Sequence, residues 1–232
     1  MYLREHTGRG VRIAIVDSGV HAAHPHVGGV AAGVAIGEDG ALSGDFTDRL
    51  GHGTAVAAAI REKAPDAEIV AVKVFWRSLA TDVRSIEAAF DAALAHGAQV
   101  INVSLGTADM QHRDRLAAAV ARAGAGGAIV VAADEDRGVR WLPGALDGVV
   151  PVRADWSSDR QTYRLADVDG RTVMMASPYP RDIPGISRDR NLNGVSFAVA
   201  NSSAFVARAL EAGSGLKLPS IFAMLSSHSC GP

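Results

Sequence analysis

Residues 68–105 read EIVAVKVFWRSLATDVRSIEAAFDAALAHGAQVINVSL, and this stretch decides the fold. Its first part, 68–75, is a run of β-branched and apolar residues that predicts a buried strand, and 99–105 predicts a second one. Between them, 83–96 carries apolar residues at helical spacing and is followed by Gly97, a common helix end signal. A strand, a helix and a strand in this order form a crossover between parallel strands.

The same alternation extends towards both ends of the chain. Further strands are predicted at 11–16, 30–36, 128–133, 149–152 and 172–175, and further helices at 54–61, 113–123 and 197–212. This order predicts an α/β fold, a three-layer sandwich in which helices cover both faces of a mostly parallel sheet. Binding sites in such sheets lie beyond the carboxyl ends of the strands. Asp17, Ser104 and the acidic cluster 134–136 each follow a predicted strand and are therefore candidates for a site.

Composition limits the kinds of protein that the chain can be. Its 232 residues are 48% hydrophobic and 21% charged, which is typical of a globular protein with one core. We predict one domain over 1–212, followed by a loosely packed, Ser/Gly-rich tail over 213–232. The net charge of −2 argues against nucleic acid as a partner, and no stretch approaches the roughly 18 apolar residues of a membrane span.

Cysteine usage and the start of the chain suggest a cytoplasmic protein. Cys230 is the single cysteine, so neither an intrachain disulfide nor a thiolate zinc site is expected. Residues 1–10 lack the apolar core of a signal peptide. The three histidines at 21, 24 and 26 are irregularly spaced around a proline, which favours a loop over a metal site. We expect no cofactor.

Three segments carry residues that can do chemistry. Asp17 ends a predicted strand, His52 lies between Gly51 and Gly53 where a helix begins, and Ser196 opens the last long helix. Each has an ordinary structural explanation when taken alone: a turn or helix cap for Asp17, a structural histidine for His52, and a helix N-cap for Ser196. Together they are more specific, because a serine nucleophile needs a base and the base needs an orienting acid.

These segments resemble the motifs of the subtilisin-like serine peptidases, the subtilase family. The similar stretches are IVDSGV at 15–20, GHGTAVA at 51–57, INVSLG at 101–106, WLPG at 141–144 and NGVSFA at 193–198. The resemblance runs from about residue 10 to 210. It implies a sheet of about seven parallel strands and a catalytic triad of Asp17, His52 and Ser196.

The resemblance also implies how a peptide or protein substrate binds. The substrate would pair as an added strand with Ser104-Leu105-Gly106. The opposite wall of that cleft is expected at Ala80-Thr81-Asp82. The loop that often carries calcium in this family is reduced here to residues 63–66, so we expect no calcium there.

The oxyanion site departs from the family pattern. Glu135 stands where the family has an asparagine, with Asp134 and Asp136 as neighbouring alternatives, and Val195 replaces a threonine. An ionised carboxylate has no hydrogen to donate to the oxyanion. Three explanations fit: Glu135 is protonated and donates, or it points away and leaves the Ser196 N–H and a water, or the protein binds peptides without cleaving them.

These observations predict a serine endopeptidase. Met1 lies 16 residues before Asp17, so we expect no pro-domain, and the chain is compact for the family. Both features favour a selective intracellular enzyme that processes a precursor. The alternatives are a peptide-binding protein without catalysis and an acyl transferase on the same fold. The loop 181–190 is expected to be either solvated or a rim that contacts substrate.

Overall fold

The computed structural model describes residues 3–213 and 215–228. In chain order its strands are β1 (Arg12–Asp17), β2 (Ala32–Ile36), β3 (Leu42–Ser43), β4 (Glu68–Lys73), β5 (Val100–Val103), β6 (Ile129–Asp136), β7 (Val139–Arg140), β8 (Val149–Ala154), β9 (Tyr163–Val168) and β10 (Arg171–Ala176). The helices are α1 (His52–Lys63), α2 (Val83–Ala95), α3 (Arg113–Ala125), α4 (Val195–Ala212) and α5 (Leu218–His228). Short 3-10 helices span Met110–His112 and Arg188–Arg190.

The strands form one mixed sheet of ten strands in the order β3-β2-β4-β1-β5-β6-β8-β10-β9, with β7 paired to β6. In this sheet order, the seven strands β2-β4-β1-β5-β6-β8-β10 run parallel to one another, which confirms the predicted α/β class. The strand count of about seven was too low, because three antiparallel strands, β3, β7 and β9, were not predicted. The first two are exposed pairs of residues and β9 is mostly half-buried or exposed, so none carries an apolar run.

Helices cover both faces of the sheet. Along β1, Ile13 and Ile15 pack in the core beneath α1 and α4, while Ala14 and Val16 pack in the core beneath α2 and α3. Successive strand residues point to opposite faces, so a continuous apolar run reports a strand buried on both sides. This is the predicted three-layer arrangement, and it sets the carboxyl end of β1 beside the start of α1.

Much of the predicted loose tail is packed. Residues 218–228 form α5, in which Ile221 and Leu225 are fully buried against the same core as α4. The Tyr163 hydroxyl also donates a hydrogen bond to the Leu225 carbonyl at 2.9 Å. The serines of this stretch led to the prediction of a loose tail. Ile221 and Leu225 are nevertheless four residues apart, which places them on one face of a helix. Residue 214 and residues 229–232, which include Cys230, lie outside the described residues.

No helix in the described part of the chain has the length and apolarity needed to cross a lipid bilayer.

Candidate active site

The end of β1 and the start of α1 bring a carboxylate and an imidazole together. Asp17 is fully buried, and its Oδ1 and Oδ2 lie 2.8 and 2.9 Å from His52 Nδ1. A buried carboxylate at this nitrogen favours the tautomer with the proton on Nδ1, which leaves Nε2 free to accept a proton. The pair predicted from sequence therefore has the geometry of a base and its orienting acid.

The two glycines beside His52 have different roles. Gly51 precedes α1 with φ 85°, a left-handed conformation that glycine adopts without strain. Gly53 sits against the end of β1, where an added Cβ would overlap the Gly19 carbonyl oxygen and lie 3.1 Å from Asp17 Oδ1. The close approach of α1 to β1 therefore depends on the missing side chain at residue 53.

Asp48 holds the start of α1 and was not predicted. Its carboxylate accepts hydrogen bonds from the Ser18 hydroxyl, from the Leu50 and Gly51 amides, and from the amide and hydroxyl of Thr54. Gly51 has no side chain that could cap the helix, so the free N–H groups of the first turn need other acceptors. A capless helix start with an aspartate just upstream is the signal that could have identified Asp48.

Charges around the imidazole change its acidity. Burial alone would lower the pKa of His52, but the hydrogen bond and charge of Asp17, together with the charge of Asp48, outweigh it and raise the pKa above its ordinary value of 6.5. Burial would likewise raise the pKa of Asp48, yet hydrogen bonds from Thr54, Leu50 and Gly51 lower it overall. The site therefore holds an imidazole next to two carboxylates, and that arrangement stabilises an imidazolium.

Ser196 lies in the first turn of α4, close to the end of β5. Its hydroxyl donates to the Ser104 carbonyl at 3.2 Å, and the Ser104 hydroxyl donates to the Ser196 carbonyl at 3.3 Å. Ser196 and His52 line the same cavity of about 240 Å³, but among the described residues no hydrogen bond joins them. The structure thus brings His52 and Ser196 to one cavity, with Asp17 buried behind the imidazole and the serine hydroxyl turned to the backbone of residue 104.

The two predicted cleft walls line one cavity. This second cavity, of about 620 Å³, is lined by Ala80-Thr81-Asp82 and by Leu105-Gly106. Phe75, Leu79 and Leu105-Gly106 line both this cavity and the cavity of Ser196. Ser104 lines the cavity of Ser196 as well. The Asp82 carboxylate accepts from the Ser85 amide at 2.8 Å, so it also caps α2. One groove therefore extends from Ser196 along both predicted walls.

Glu135 has a partner outside the cavity. Its Oε2 lies 3.0 Å from Arg153 Nη2 on the neighbouring strand β8. Two residues earlier, Ala133 lines the cavity of Ser196, and so does Trp141. Asp134 is buried and forms ion pairs whose closest distance is 2.7 Å, to Arg153. Two residues of the acidic cluster, Asp134 and Glu135, thus pair with arginines, and no sequence motif predicted these partners.

The histidine loop does not form a metal site within the residues that the structure describes. There, no group of three histidine, cysteine, aspartate or glutamate side chains is arranged so that it could hold a metal ion. His24 Nδ1 instead accepts a hydrogen bond from the His26 amide at 3.2 Å.

Comparison with known proteins identifies the family of the chain. The model of the subtilase family matches residues 8–144. The Minor extracellular protease Epr of Bacillus subtilis (strain 168) is 32% identical over 190 residues, which cover 74% of this chain and 27% of that protein. Subtilisin Savinase of Lederbergia lenta is 32% identical over 222 residues, covering 86% of this chain and 77% of that protein.

A solved structure has the same fold. A cold-adapted subtilisin-like serine proteinase matches with a TM-score of 0.72 and 22% identity, covering 95% of this chain and 81% of that one. The chain spans about a quarter of the length of the Bacillus relative and about three quarters of Savinase. The matched family model, the two relatives and the shared fold agree with the motifs around Asp17, His52 and Ser196: the chain belongs to the subtilase family.

Proposed function

We propose that this protein is a serine endopeptidase that hydrolyses peptide bonds with Asp17, His52 and Ser196. The observation that supports it most is the 2.8 Å contact between the buried Asp17 carboxylate and Nδ1 of His52, whose ring lines the same cavity as Ser196. Both relatives described above are named as a protease or a subtilisin, which agrees with this activity.

The chemistry follows from the geometry of the three groups. The Ser196 hydroxyl exchanges its hydrogen bond to the Ser104 carbonyl for one to His52 Nε2, by a rotation of the side chain. His52 then accepts the hydroxyl proton as Ser196 Oγ attacks the peptide carbonyl, and it returns that proton to the leaving amine. Water, activated by the same imidazole, releases the acyl group from Ser196. Asp17 holds the ring and stabilises the imidazolium.

The oxyanion is proposed to form at the start of α4. Ser196 lies in the first turn of this helix, where backbone N–H groups lack helical partners and favour negative charge. No side-chain cap occupies this end of the helix. Because Glu135 pairs with Arg153, we favour the explanation in which it takes no part and the Ser196 N–H acts with a water.

Replacing Glu135 tests this explanation. We expect Glu135→Gln and Glu135→Ala to keep kcat for a peptide substrate within about threefold of the parent between pH 6 and 9. A side chain that donates to the oxyanion is worth about 10² to 10³ in kcat, a range known from subtilisin itself. A fall of that size in Glu135→Ala, with activity retained in Glu135→Gln, would instead assign the donor role to Glu135.

The substrate is proposed to lie as an added strand in the groove between Ser104-Leu105-Gly106 and Ala80-Thr81-Asp82. The support is the continuous lining of the two cavities by Leu105-Gly106. A selective, intracellular processing role stays a prediction from the sequence. One relative carries the word extracellular in its name, which speaks for a different location of that protein.

A fluorophosphonate probe tests whether Ser196 is a nucleophile. We expect stoichiometric labelling of the parent protein, mapped to Ser196 by mass spectrometry, because the probe reacts with a serine that a base activates. Ser196→Ala should not be labelled, while the exposed Ser220→Ala should label like the parent. A folded parent protein that stays unlabelled would contradict the proposal and support peptide binding without catalysis. Peptide products that have gained no water would indicate acyl transfer.

The pH dependence of labelling follows from His52. The base must be neutral to accept a proton, and its pKa is raised above 6.5. The labelling rate should therefore rise with pH and reach half its maximum above pH 6.5. In Asp17→Asn the two contributions of Asp17 that raise the pKa are lost, so the midpoint should move to lower pH while the maximal rate falls. A midpoint that stays in place in Asp17→Asn would separate the titration from His52.

A further inference from the structure

A third cavity lies next to the active site and has no role in the chemistry described above. It has a volume of about 370 Å³ and lies between the loop after β1, the first turns of α1 and the loop 180–192. We call it the histidine pocket. Its polar lining residues are His21, His24, His26, Asp48, Thr54, Arg181 and Asn191, and its apolar ones include Ile183 and Leu192.

The histidine pocket adjoins the catalytic residues along the chain. Gly51 and Thr54 line it and flank His52, and Asn191 and Leu192 line it shortly before Ser196. It shares no lining residue with the groove along Ser104-Leu105-Gly106. In the proposed reaction the acyl half of the substrate fills that groove, and the leaving half passes His52. The pocket is therefore placed to meet residues after the scissile bond.

The lining of the pocket includes one arginine, Arg181. Among the side chains that the structure describes, no carboxylate forms an ion pair with the half-buried Arg181, whereas Asp182, the next residue, pairs with Arg160 and Arg188. Asp48 is the carboxylate of the pocket lining, and its oxygens already accept hydrogen bonds from the start of α1.

Arg181 lies near the histidines of the pocket lining. Burial lowers the pKa of His26, and the charges of Arg181 and His24 lower it further against an opposing effect of Glu62. Each neutral imidazole still offers one N–H donor. A guanidinium flanked by such donors suits a carboxylate, which accepts two parallel hydrogen bonds from the arginine fork. Ile183 and Leu192, which are 45% and 50% exposed, add apolar surface that the methylene groups of such a side chain can contact.

We propose that the histidine pocket binds an acidic side chain, Asp or Glu, located after the scissile bond of a bound peptide, with Arg181 as the residue that determines this specificity. The assignment rests on the proposed peptidase activity for its placement relative to the bond that is cut. It names a substrate class: peptides and proteins with a carboxylate close to the new amino terminus.

Matched peptides test the proposal. Internally quenched peptides share one sequence and carry Glu, Gln or Lys at the first, second or third position after the cut, and kcat/KM is measured at pH 8. At one position we expect Glu to exceed Gln by roughly threefold to tenfold, and Lys to be cleaved more slowly than Gln. Arg181→Gln should make the Glu and Gln peptides equal, and Arg181→Glu should favour Lys. Arg113→Gln, which removes an exposed arginine elsewhere, should keep the preference of the parent.

Other results would contradict the proposed specificity or the proposed function. Equal kcat/KM for Glu and Gln at all three positions, or a preference that survives in Arg181→Gln, would overturn the proposal while leaving the peptidase activity intact. If no peptide is cleaved and Ser196 resists the fluorophosphonate, the proposed function fails instead. In that case, fluorescence anisotropy measures the binding of the Glu and Gln peptides to Ser196→Ala. Tighter binding of the Glu peptide, lost when Arg181→Gln is added, would support the acidic specificity of the pocket. Equal binding of the two peptides would refute it.

Discussion

Replacing Ser196 by alanine is expected to lower kcat for peptide hydrolysis by about 10⁶-fold, while the thermal midpoint of unfolding changes by a few degrees or less. The magnitude is the one known for subtilisin, a member of this family. The small effect on stability follows from the position of the hydroxyl, which is half-buried and makes one hydrogen bond of 3.2 Å to a backbone carbonyl.

A double variant of His52 and Ser196 tests whether the two residues act as one unit. His52→Ala alone should cost about as much as Ser196→Ala, and the two together should cost little more than either, because a base without its nucleophile does nothing. Asp17→Asn should cost about 10⁴-fold, since it leaves the nucleophile but disturbs the tautomer of His52. Losses that multiply in the double variant would show that the two residues act independently, which would contradict a triad. Single-turnover measurements of kcat on one peptide suffice for all four proteins.

The sequence predicted the strands whose side chains are buried on both faces. β1 and β4 contain uninterrupted apolar runs at 13–16 and 69–72, and β5 is apolar except for Asn102. Short apolar runs of this kind are typical of strands that are buried on both faces. Prediction failed for β3 and β7, which are two residues long and are held by pairing with a neighbour rather than by burial. Helix α5 was missed although two of its residues are buried, because these two residues lie in a Ser-rich stretch.

The candidate triad was predicted from the combination of three residue types rather than from any one of them. Asp17, His52 and Ser196 could be named because acid, base and nucleophile are needed together. The role of Asp48 was missed, although a helix start without a capping side chain, three residues after an aspartate, is a local signal for it. The partner of Glu135 depends on the register between β6 and β8, which shifts at a bulge between Ala133 and Glu135. Local sequence carries no record of that register.

Replacing Gly53 by alanine should disable the enzyme although residue 53 takes no part in the chemistry. The new Cβ would overlap the Gly19 carbonyl oxygen and lie 3.1 Å from the Cβ and Oδ1 of Asp17, so α1 must move away from β1. Overpacking of this kind costs about 1–3 kcal/mol in the free energy of unfolding. Because the displaced helix carries His52, we expect kcat/KM to fall by about 10²-fold, the effect of misplacing a catalytic group by about 1 Å.

Gly124→Ala is the matched control, because the same atom is added in a helix where nothing lies within 4 Å of it. Alanine is favoured over glycine inside a helix by up to about 1 kcal/mol, so this variant should be as stable as the parent or slightly more so. Urea unfolding and kcat/KM, measured on both variants, separate the two effects. If Gly53→Ala lost stability but kept its activity, the distance between Asp17 and His52 would not control the reaction. If it lost activity at unchanged stability, His52 would be displaced without a clash in the core. In both cases, the coupling of helix packing to the position of the base would have to be abandoned.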